Sequence, residues 1–194
     1  MKKIMILPIA LMLGACTQTT AIAPEKNLKN IEAKGVSYAD GLVSAIKPVL
    51  MESLKSDPTG ASGMMACANA AMPLTDEYNK QLPSNAKVRR TAIKYRNPAN
   101  KPDSKDTEVM NNIMASKNFA PVVVEMNDSY RVYKPLPMAQ PCMVCHGDLK
   151  TMNQQTKEKI KEHYPRDLAN GFKLGDFRGV VVTEIKKISY LRLR

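Results

Sequence analysis

The chain has 194 residues, a formal net charge of +11, 4 cysteines and 2 histidines. This length is typical of one domain with a substantial core. The positive charge favours a solvated basic surface, and docking on an acidic redox partner or on anionic lipid headgroups is the alternative.

The first residues form a predicted secretory signal. Lys2 and Lys3 precede an apolar stretch at residues 4–13 that is too short to span a bilayer, and small residues then lead to Cys16. This pattern predicts a bacterial lipoprotein signal peptide at residues 1–15 and lipidation of Cys16 as the new N-terminus. An ordinary signal peptide followed by an incidental cysteine is the alternative.

Export decides which compartment and partners we expect. No later segment is apolar for long enough to cross a membrane. We therefore expect a lipidated tether at residues 16–23 and one domain at residues 24–194, facing the periplasm. Thr17 stands where an aspartate would retain a lipoprotein at the inner membrane, so the outer membrane is favoured. Nucleic acid is not an expected partner, because export takes the chain away from it.

Residue patterns predict four helices and four strands along the chain. In the first helix, at residues 24–50, apolar residues recur mostly three or four positions apart. The other predicted helices lie at residues 63–79, with Ser62 as the N-cap, and at residues 106–116 and 155–163. Runs of β-branched and aromatic residues predict strands at residues 87–95, 120–126, 130–136 and 177–188. Residues 127–129 connect the second and third strands as a hairpin, and three later prolines predict an extended approach to residue 142.

The most informative motif is Cys142-Met143-Val144-Cys145-His146. Two cysteines three residues apart and an adjacent histidine are the attachment signature of a c-type haem. The two thiols reach the two vinyl groups of one porphyrin, and the imidazole binds the iron. Half of a zinc site and a thioredoxin-like redox pair are the alternatives. A zinc site would need Cys67 or His163 to complete it, and no βαβ pattern precedes the motif.

Cys67 is left without an assignment once Cys16 goes to lipid and Cys142 and Cys145 go to haem. It falls in the second predicted helix among small side chains that would let a flat macrocycle approach closely. It is therefore a candidate haem ligand, although a free cysteine is also commonly a small buried apolar residue.

Several blocks of the chain resemble the PAS-like single-haem c-type cytochrome domain family, first described as a domain of unknown function. Its members include sensor domains of chemoreceptors and histidine kinases, and a haem protein associated with photosystem II. The matching blocks are residues 90–100, Tyr133-Lys134-Pro135-Leu136, Cys142 to Gly147, residues 164–172, and Gly175-Asp176-Phe177-Arg178-Gly179. Arg89 departs from the family pattern, which has glycine before this first block.

The resemblance implies an α+β fold, with a PAS-like antiparallel sheet flanked by helices and a long N-terminal helix. It also implies one covalent haem c whose iron is held by the motif histidine and by a cysteine from a preceding helix. On this sequence those ligands are His146 and Cys67. A thiolate ligand would stabilise ferric iron and lower the reduction potential relative to a methionine ligand.

Other ligands and contacts stay open at this point. His163 is the other histidine, and Met64, Met65 and Met72 lie near Cys67 in the sequence, so any of them is an alternative ligand. Arg90, Arg96 and Arg178 are the candidate partners of the haem propionates, because guanidinium binds carboxylate in a bidentate manner. Exposed salt bridges are the alternative role for each arginine.

The leading functional hypothesis is a lipid-anchored periplasmic monohaem c-type protein. It would sense redox state or a diatomic ligand, or carry single electrons, and it would act with an acidic redox partner or a separate signalling protein. A different class, a peroxidase-like or nitric-oxide-processing haem enzyme, would need a sixth ligand that is easily displaced and distal acid–base groups. A thiol protein without haem is the third possibility.

Overall fold

The computed structural model describes residues 25–187, and side chains are described from residue 27 onward. Residues 1–24 and 188–194 lie outside the described part, and with them the predicted signal peptide, Cys16 and the tether. Six helices are described: α1 (Glu25–Ser56), α2 (Ala61–Asn69), α3 (Ala71–Gln81), α4 (Ser104–Ser116), α5 (Met143–His146) and α6 (Gln154–His163). Four strands are described: β1 (Ala86–Thr91), β2 (Val122–Glu125), β3 (Ser129–Pro137) and β4 (Phe177–Lys186). Within residues 25–187, no helix is both long and apolar enough to cross a bilayer.

The four strands form one antiparallel sheet in the order β1-β4-β3-β2. Successive residues of the central strand β4 point to opposite faces of the sheet, as the two-residue period of a strand requires. Val180 and Val182 pack with Tyr133 against α4, whereas Val181 packs with Leu42 of α1. The sheet is therefore covered by helices on both faces, which confirms the predicted α+β class and the long N-terminal helix.

The long helix α1 lies close to the sheet because a glycine faces it. Thr183 Oγ1 donates a hydrogen bond of 2.7 Å to the carbonyl oxygen of Gly35. A Cβ atom on Gly35 would lie only 2.4 Å from Cγ2 of Val132, so a larger residue would push the helix away.

The predicted helix at residues 63–79 is in fact two helices. α2 ends at Asn69, and the break agrees with Pro73, which has no N–H to donate and whose ring would clash with the Asn69 carbonyl. The predicted N-cap is also wrong, because Gly60 occupies that position and Ser62 lies inside the helix. Asp57 takes over the capping role and accepts a hydrogen bond of 2.8 Å from the backbone N–H of Ser62.

The edge strand β1 is shorter than predicted and ends at Thr91. The side chain of Asn79 in α3 supports it, because its amide accepts from Val88 N at 2.7 Å and donates to Val88 O at 2.9 Å. The approach to the cysteine motif is extended through Pro137 and again at Ala139, as predicted. Only its last residues differ from the prediction, because Gln140–Cys142 form a 3-10 turn, and a proline at the second position of that turn is compatible with the fixed φ of proline.

Candidate functional site

The cysteine motif follows strand β3 as a 3-10 turn and the short helix α5. Cys142 is half-buried and Cys145 is buried, and both are free thiols. The Cys145 thiol lies 3.6 Å from the carbonyl oxygen of Gly60, and burial raises its pKa to about 11. Because helical residues three apart share a face, the two thiols are placed on one side of the turn.

Gly60 allows the beginning of α2 to approach the motif. Its φ of 92° lies in the left-handed region, which glycine adopts without strain. A Cβ atom there would lie 2.4 Å from Cγ1 of Val144 and 3.3 Å from the sulfur of Cys145. The close approach of helix α2 to helix α5 therefore depends on this glycine.

His146 is held by a hydrogen bond from its ring. Its Nδ1 lies 2.7 Å from the carbonyl oxygen of Ala169, and because a carbonyl can only accept, Nδ1 carries the proton. Burial lowers the pKa of His146 well below its usual value, and the cations Arg178 and Arg96 lower it further. The ring is thus a neutral imidazole whose Nε2 lone pair is available to a metal.

Cys67 lies on α2, on the same side of the fold as the motif. Burial raises the pKa of its half-buried thiol, the nearby Arg90 and Arg96 lower it, and Cys142 raises it. In the same region Met64 of α2 packs with Cys145 in one apolar cluster. The leftover thiol therefore lies near enough to the motif for the two to interact electrostatically.

The alternative ligands have other contacts. Met64 is only 1% exposed and fills the core, and Met65 packs beside it. The sulfur of Met72 lies 4.0 Å from Nη2 of Arg90. His163 faces its own helix, where its Nδ1 lies 3.1 Å from the carbonyl oxygen of Lys159. Both iron ligands stay predictions, and Cys67 is the candidate that these contacts favour for the second one.

Arg90 and Arg178 are cations without carboxylate partners among the described residues. The Nε atom of Arg90 is buried and has no hydrogen-bond partner. Every other buried side-chain nitrogen or oxygen within residues 27–187 has one. Arg178 donates to the carbonyl oxygen of Lys94 at 3.1 Å, and its guanidinium carbon lies 5.5 Å from the ring centre of Phe172. Burial lowers the pKa of both, that of Arg178 to about 10. Such half-buried cations without a carboxylate partner favour an anionic ligand.

Arg96 differs from these two arginines because its Nε and Nη2 already have acceptors within the protein. It forms a bidentate ion pair with Asp167 and also donates to the carbonyl oxygens of Cys145 and Ala169. A role with a propionate stays a prediction for Arg96, but the geometry favours Arg90 and Arg178 for it.

An open cleft of about 630 Å³ borders the site. Phe172 lines the cleft and also meets the ring of His146 edge-on, with the ring centres 6.3 Å apart. The cations Lys94, Lys117 and Arg178 line the cleft together with Asp176. The surface beside the motif therefore has more positive than negative groups.

Sequence reasoning missed several residues that shape the site. These residues shape the site through backbone contacts or through partners that are distant in the sequence. They are Asp57, Gly60, Asp167 and Ala169. The Asp57-Pro58-Thr59-Gly60 turn was recognisable, but no local pattern identifies the residue whose carbonyl will accept from His146.

Fold and motif together define a PAS-like α+β domain that carries a c-type haem attachment signature. A model of the Tll0287-like family matches residues 18–185, so the chain belongs to that family. Among solved structures, the chain is similar to the crystal structure of the cyanobacterial haem protein Tll0287, with a TM-score of 0.61 and 23% sequence identity. The likeness covers 86% of this chain and 99% of that chain, and it shows a shared fold. No curated protein matches the chain. The predicted family and fold class are confirmed.

Proposed function

We propose that this chain is a haem-binding protein with one haem c attached through Cys142 and Cys145, and with His146 and Cys67 as the iron ligands. The observation that carries the proposal is the neutral His146 ring, fixed through Nδ1 by Ala169 and free at Nε2, in an attachment motif that a second thiol adjoins. Membership of the Tll0287-like family and a relative described as a haem protein support it.

The residues present fit a haem in three respects. Two thiols and an imidazole form the attachment and proximal set, and a third thiol supplies a soft second ligand. The buried Nε of Arg90 would gain the acceptor that it lacks, and Arg178 would gain an anion. When bound, the haem iron supplies a one-electron ferric–ferrous couple.

The protonation states of His146 and Cys67 suit the two side chains to bind iron. The imidazole of His146 is kept neutral, which is the form that binds metal. The Cys67 thiol is protonated at neutral pH when free, so ligation would release its proton, and the neighbouring guanidinium groups favour the resulting thiolate. Because His146 and Cys67 would both hold the iron, these residues support single-electron transfer, or sensing of a small ligand that would compete with Cys67 for the iron.

We also propose that the chain is attached to the periplasmic face of a membrane, the outer membrane in preference to the inner one, through a lipid on Cys16. The basic, apolar and small-residue pattern of residues 1–15 supports this location. The cationic cleft beside the motif supports an acidic redox partner or a separate signalling protein as the receiver.

The test is to produce the mature chain with the c-type maturation machinery and to record absorption spectra during a redox titration, with and without carbon monoxide or nitric oxide. Haem absorbance that persists after denaturation would show covalent attachment, and its absence would refute the proposal. Binding of a diatomic ligand would favour sensing, whereas a stable six-coordinate spectrum with reversible one-electron reduction would favour electron transfer.

The second ligand is tested by Cys67→Ala, with Met72→Leu as the matched control on the other side of the helix break. We expect Cys67→Ala to change the ferric spectrum and raise the potential, because a strong electron donor is lost. We expect Met72→Leu to leave both unchanged. An unaltered spectrum for Cys67→Ala would exclude Cys67, and rapid turnover of peroxide by the unmodified protein would favour the enzyme alternative.

A further inference from the structure

Arg96 connects the haem motif to the loop that holds the motif histidine. Its Nη2 donates to the carbonyl oxygen of Cys145 at 2.7 Å and to that of Ala169 at 3.1 Å. Its Nε donates to Oδ1 of Asp167 at 3.0 Å, and Oδ2 of Asp167 lies 3.1 Å from Nη2, whose two N–H groups are thus shared among three acceptors. The side chains of Arg96 and Asp167 are only 9% and 7% exposed, so both contacts are shielded from water.

The loop that contains Asp167 and Ala169 is itself bound to the motif. Asp167 Oδ1 accepts from the backbone N–H of Ala169 at 2.9 Å. Further along, Gly171 N–H donates to the carbonyl oxygen of Gly147, and Phe172 N–H donates to that of His146, at 2.8 and 3.1 Å. The position of the Ala169 carbonyl is therefore set from both sides by fixed groups.

The Ala169 carbonyl is shared by two donors. One is Nδ1–H of His146 at 2.7 Å, and the other is the guanidinium of Arg96. A cationic donor draws electron density from the oxygen and makes it a weaker acceptor for the second donor. The His146 N–H consequently stays on the ring, and the imidazole keeps its neutral character instead of moving toward imidazolate.

We propose that Arg96 is a positioning residue for His146, which acts through the shared Ala169 carbonyl to limit electron donation by the imidazole and so to raise the reduction potential of the haem. This inference rests on the proposed haem-binding function. In this arrangement Asp167 moderates the effect, because its carboxylate partly neutralises the guanidinium charge that acts on the carbonyl.

The two members of the ion pair should shift the potential in opposite directions. Arg96→Gln removes the cation, strengthens the bond from His146 to Ala169 and is expected to lower the reduction potential. Asp167→Asn keeps the Arg96 guanidinium, removes its counter-charge and is expected to raise the potential. A role that only maintains the fold would loosen the loop in both variants and would give no such reversal of sign.

The experiment measures the reduction potential of the haem-loaded protein, together with the proton NMR signal of the His146 ring N–H in the ferric state. Lys94→Gln is the matched control, because Lys94 also acts electrostatically on His146 but donates to Asn170 and not to Ala169. We expect Lys94→Gln to leave the position of the N–H signal unchanged, whereas both ion-pair variants shift it in opposite directions.

The outcomes separate this inference from the proposed function. If the unmodified protein carries no covalent haem, the proposed function fails. If it carries haem but Arg96→Gln and Asp167→Asn keep the original N–H signal, or shift the potential with the same sign, the positioning role alone is refuted. Should Arg96→Gln not fold, the rise expected for Asp167→Asn, and its effect on the N–H signal, decide the question.

Discussion

Two consecutive arginines on strand β1 have opposite surroundings. Arg89 faces α4 and lies 2.8 Å from the fully buried carboxylate of Asp106. Arg90 faces the region of Cys67, where its Nε is buried without a partner and its Nη2 has only a methionine sulfur at 4.0 Å. Neighbouring residues of a strand point to opposite faces. One face of the sheet therefore carries an arginine paired with a buried carboxylate, and the other face carries an arginine without a carboxylate partner among the described residues.

The cluster around Asp106 is completely satisfied by protein groups. Arg131 lies 3.3 Å from the carboxylate, Tyr133 OH donates to it at 3.0 Å, and Asp103 N–H donates to it at 3.2 Å. Arg131 also pairs with Asp103 and Glu184. Buried polar groups that serve structure have their partners within the protein, whereas unsatisfied buried groups mark places where a ligand is expected. The difference between the two faces thus distinguishes a structural cluster from a candidate binding site.

The largest expected effect on stability comes from a substitution in the Asp106 cluster, whose polar groups have their partners within the protein. Asp106→Asn removes the charge that two arginines and a tyrosine share, and we expect a loss of about 3 kcal/mol in the free energy of unfolding. Chemical denaturation of the haem-loaded protein measures it. The haem spectrum should not change, and a changed spectrum would contradict the separation of the two faces.

Tyr133→Phe tests the same cluster with a smaller change. It removes one hydrogen bond to a buried carboxylate and should cost about 1.5 kcal/mol at neutral pH. Burial raises the pKa of Tyr133 to about 12, from an ordinary value of 10. The unfolded chain therefore releases this proton first, and stability from Tyr133 is present below pH 10 and lost as the pH rises toward 12. Unfolding free energies measured from pH 9 to 12 should fall more steeply for the unmodified protein than for Tyr133→Phe.

The adjacent arginines provide a direct pair of variants. Arg89→Met should cost about 1 kcal/mol, because a partly exposed ion pair to a buried carboxylate is lost, and it should leave the reduction potential unchanged. Arg90→Met should lower the potential, since a cation that favours the ferrous state is removed, with little loss of stability. Redox titration and denaturation of both proteins test this contrast. Equal effects on the potential would show that Arg90 has no special relation to the haem.

Asp57 gives the smallest expected effect and concerns the helix that carries Cys67. Hydrogen bonds from Thr59 and Ser62 lower the pKa of Asp57 to about 2. Because the folded pKa is depressed, its contribution to stability is present above the ordinary pKa of 3.8 and is lost as the pH falls toward 2. Asp57→Asn should therefore unfold slightly more easily at pH 6, and the difference from the unmodified protein should shrink at pH 2. A constant difference across this range would exclude a role for the ionised carboxylate.

Much of the chain's secondary structure was predictable because it follows from short-range patterns. The α4 helix, the β2–β3 hairpin and the α6 helix lie close to their predicted positions. Predicted element boundaries were wrong where a single residue interrupts an otherwise regular helical pattern. The break before α3 is an example, since the helical pattern continues through a region in which Pro73 prevents one continuous helix.

The sequence by itself determined the Cys142–His146 motif, the family blocks and the cysteine without a predicted covalent partner, Cys67, because the motifs span a few residues and the cysteines can be counted. Only the tertiary structure decided that Arg89 meets Asp106 while Arg90 stays open, and that Ala169 accepts from His146. These contacts join distant segments: Arg96 and Asp167 are 71 residues apart, and His146 and Ala169 are 23 apart. Local patterns carry no information on such pairs, since the twist and register of the sheet and the path of the loops bring them together.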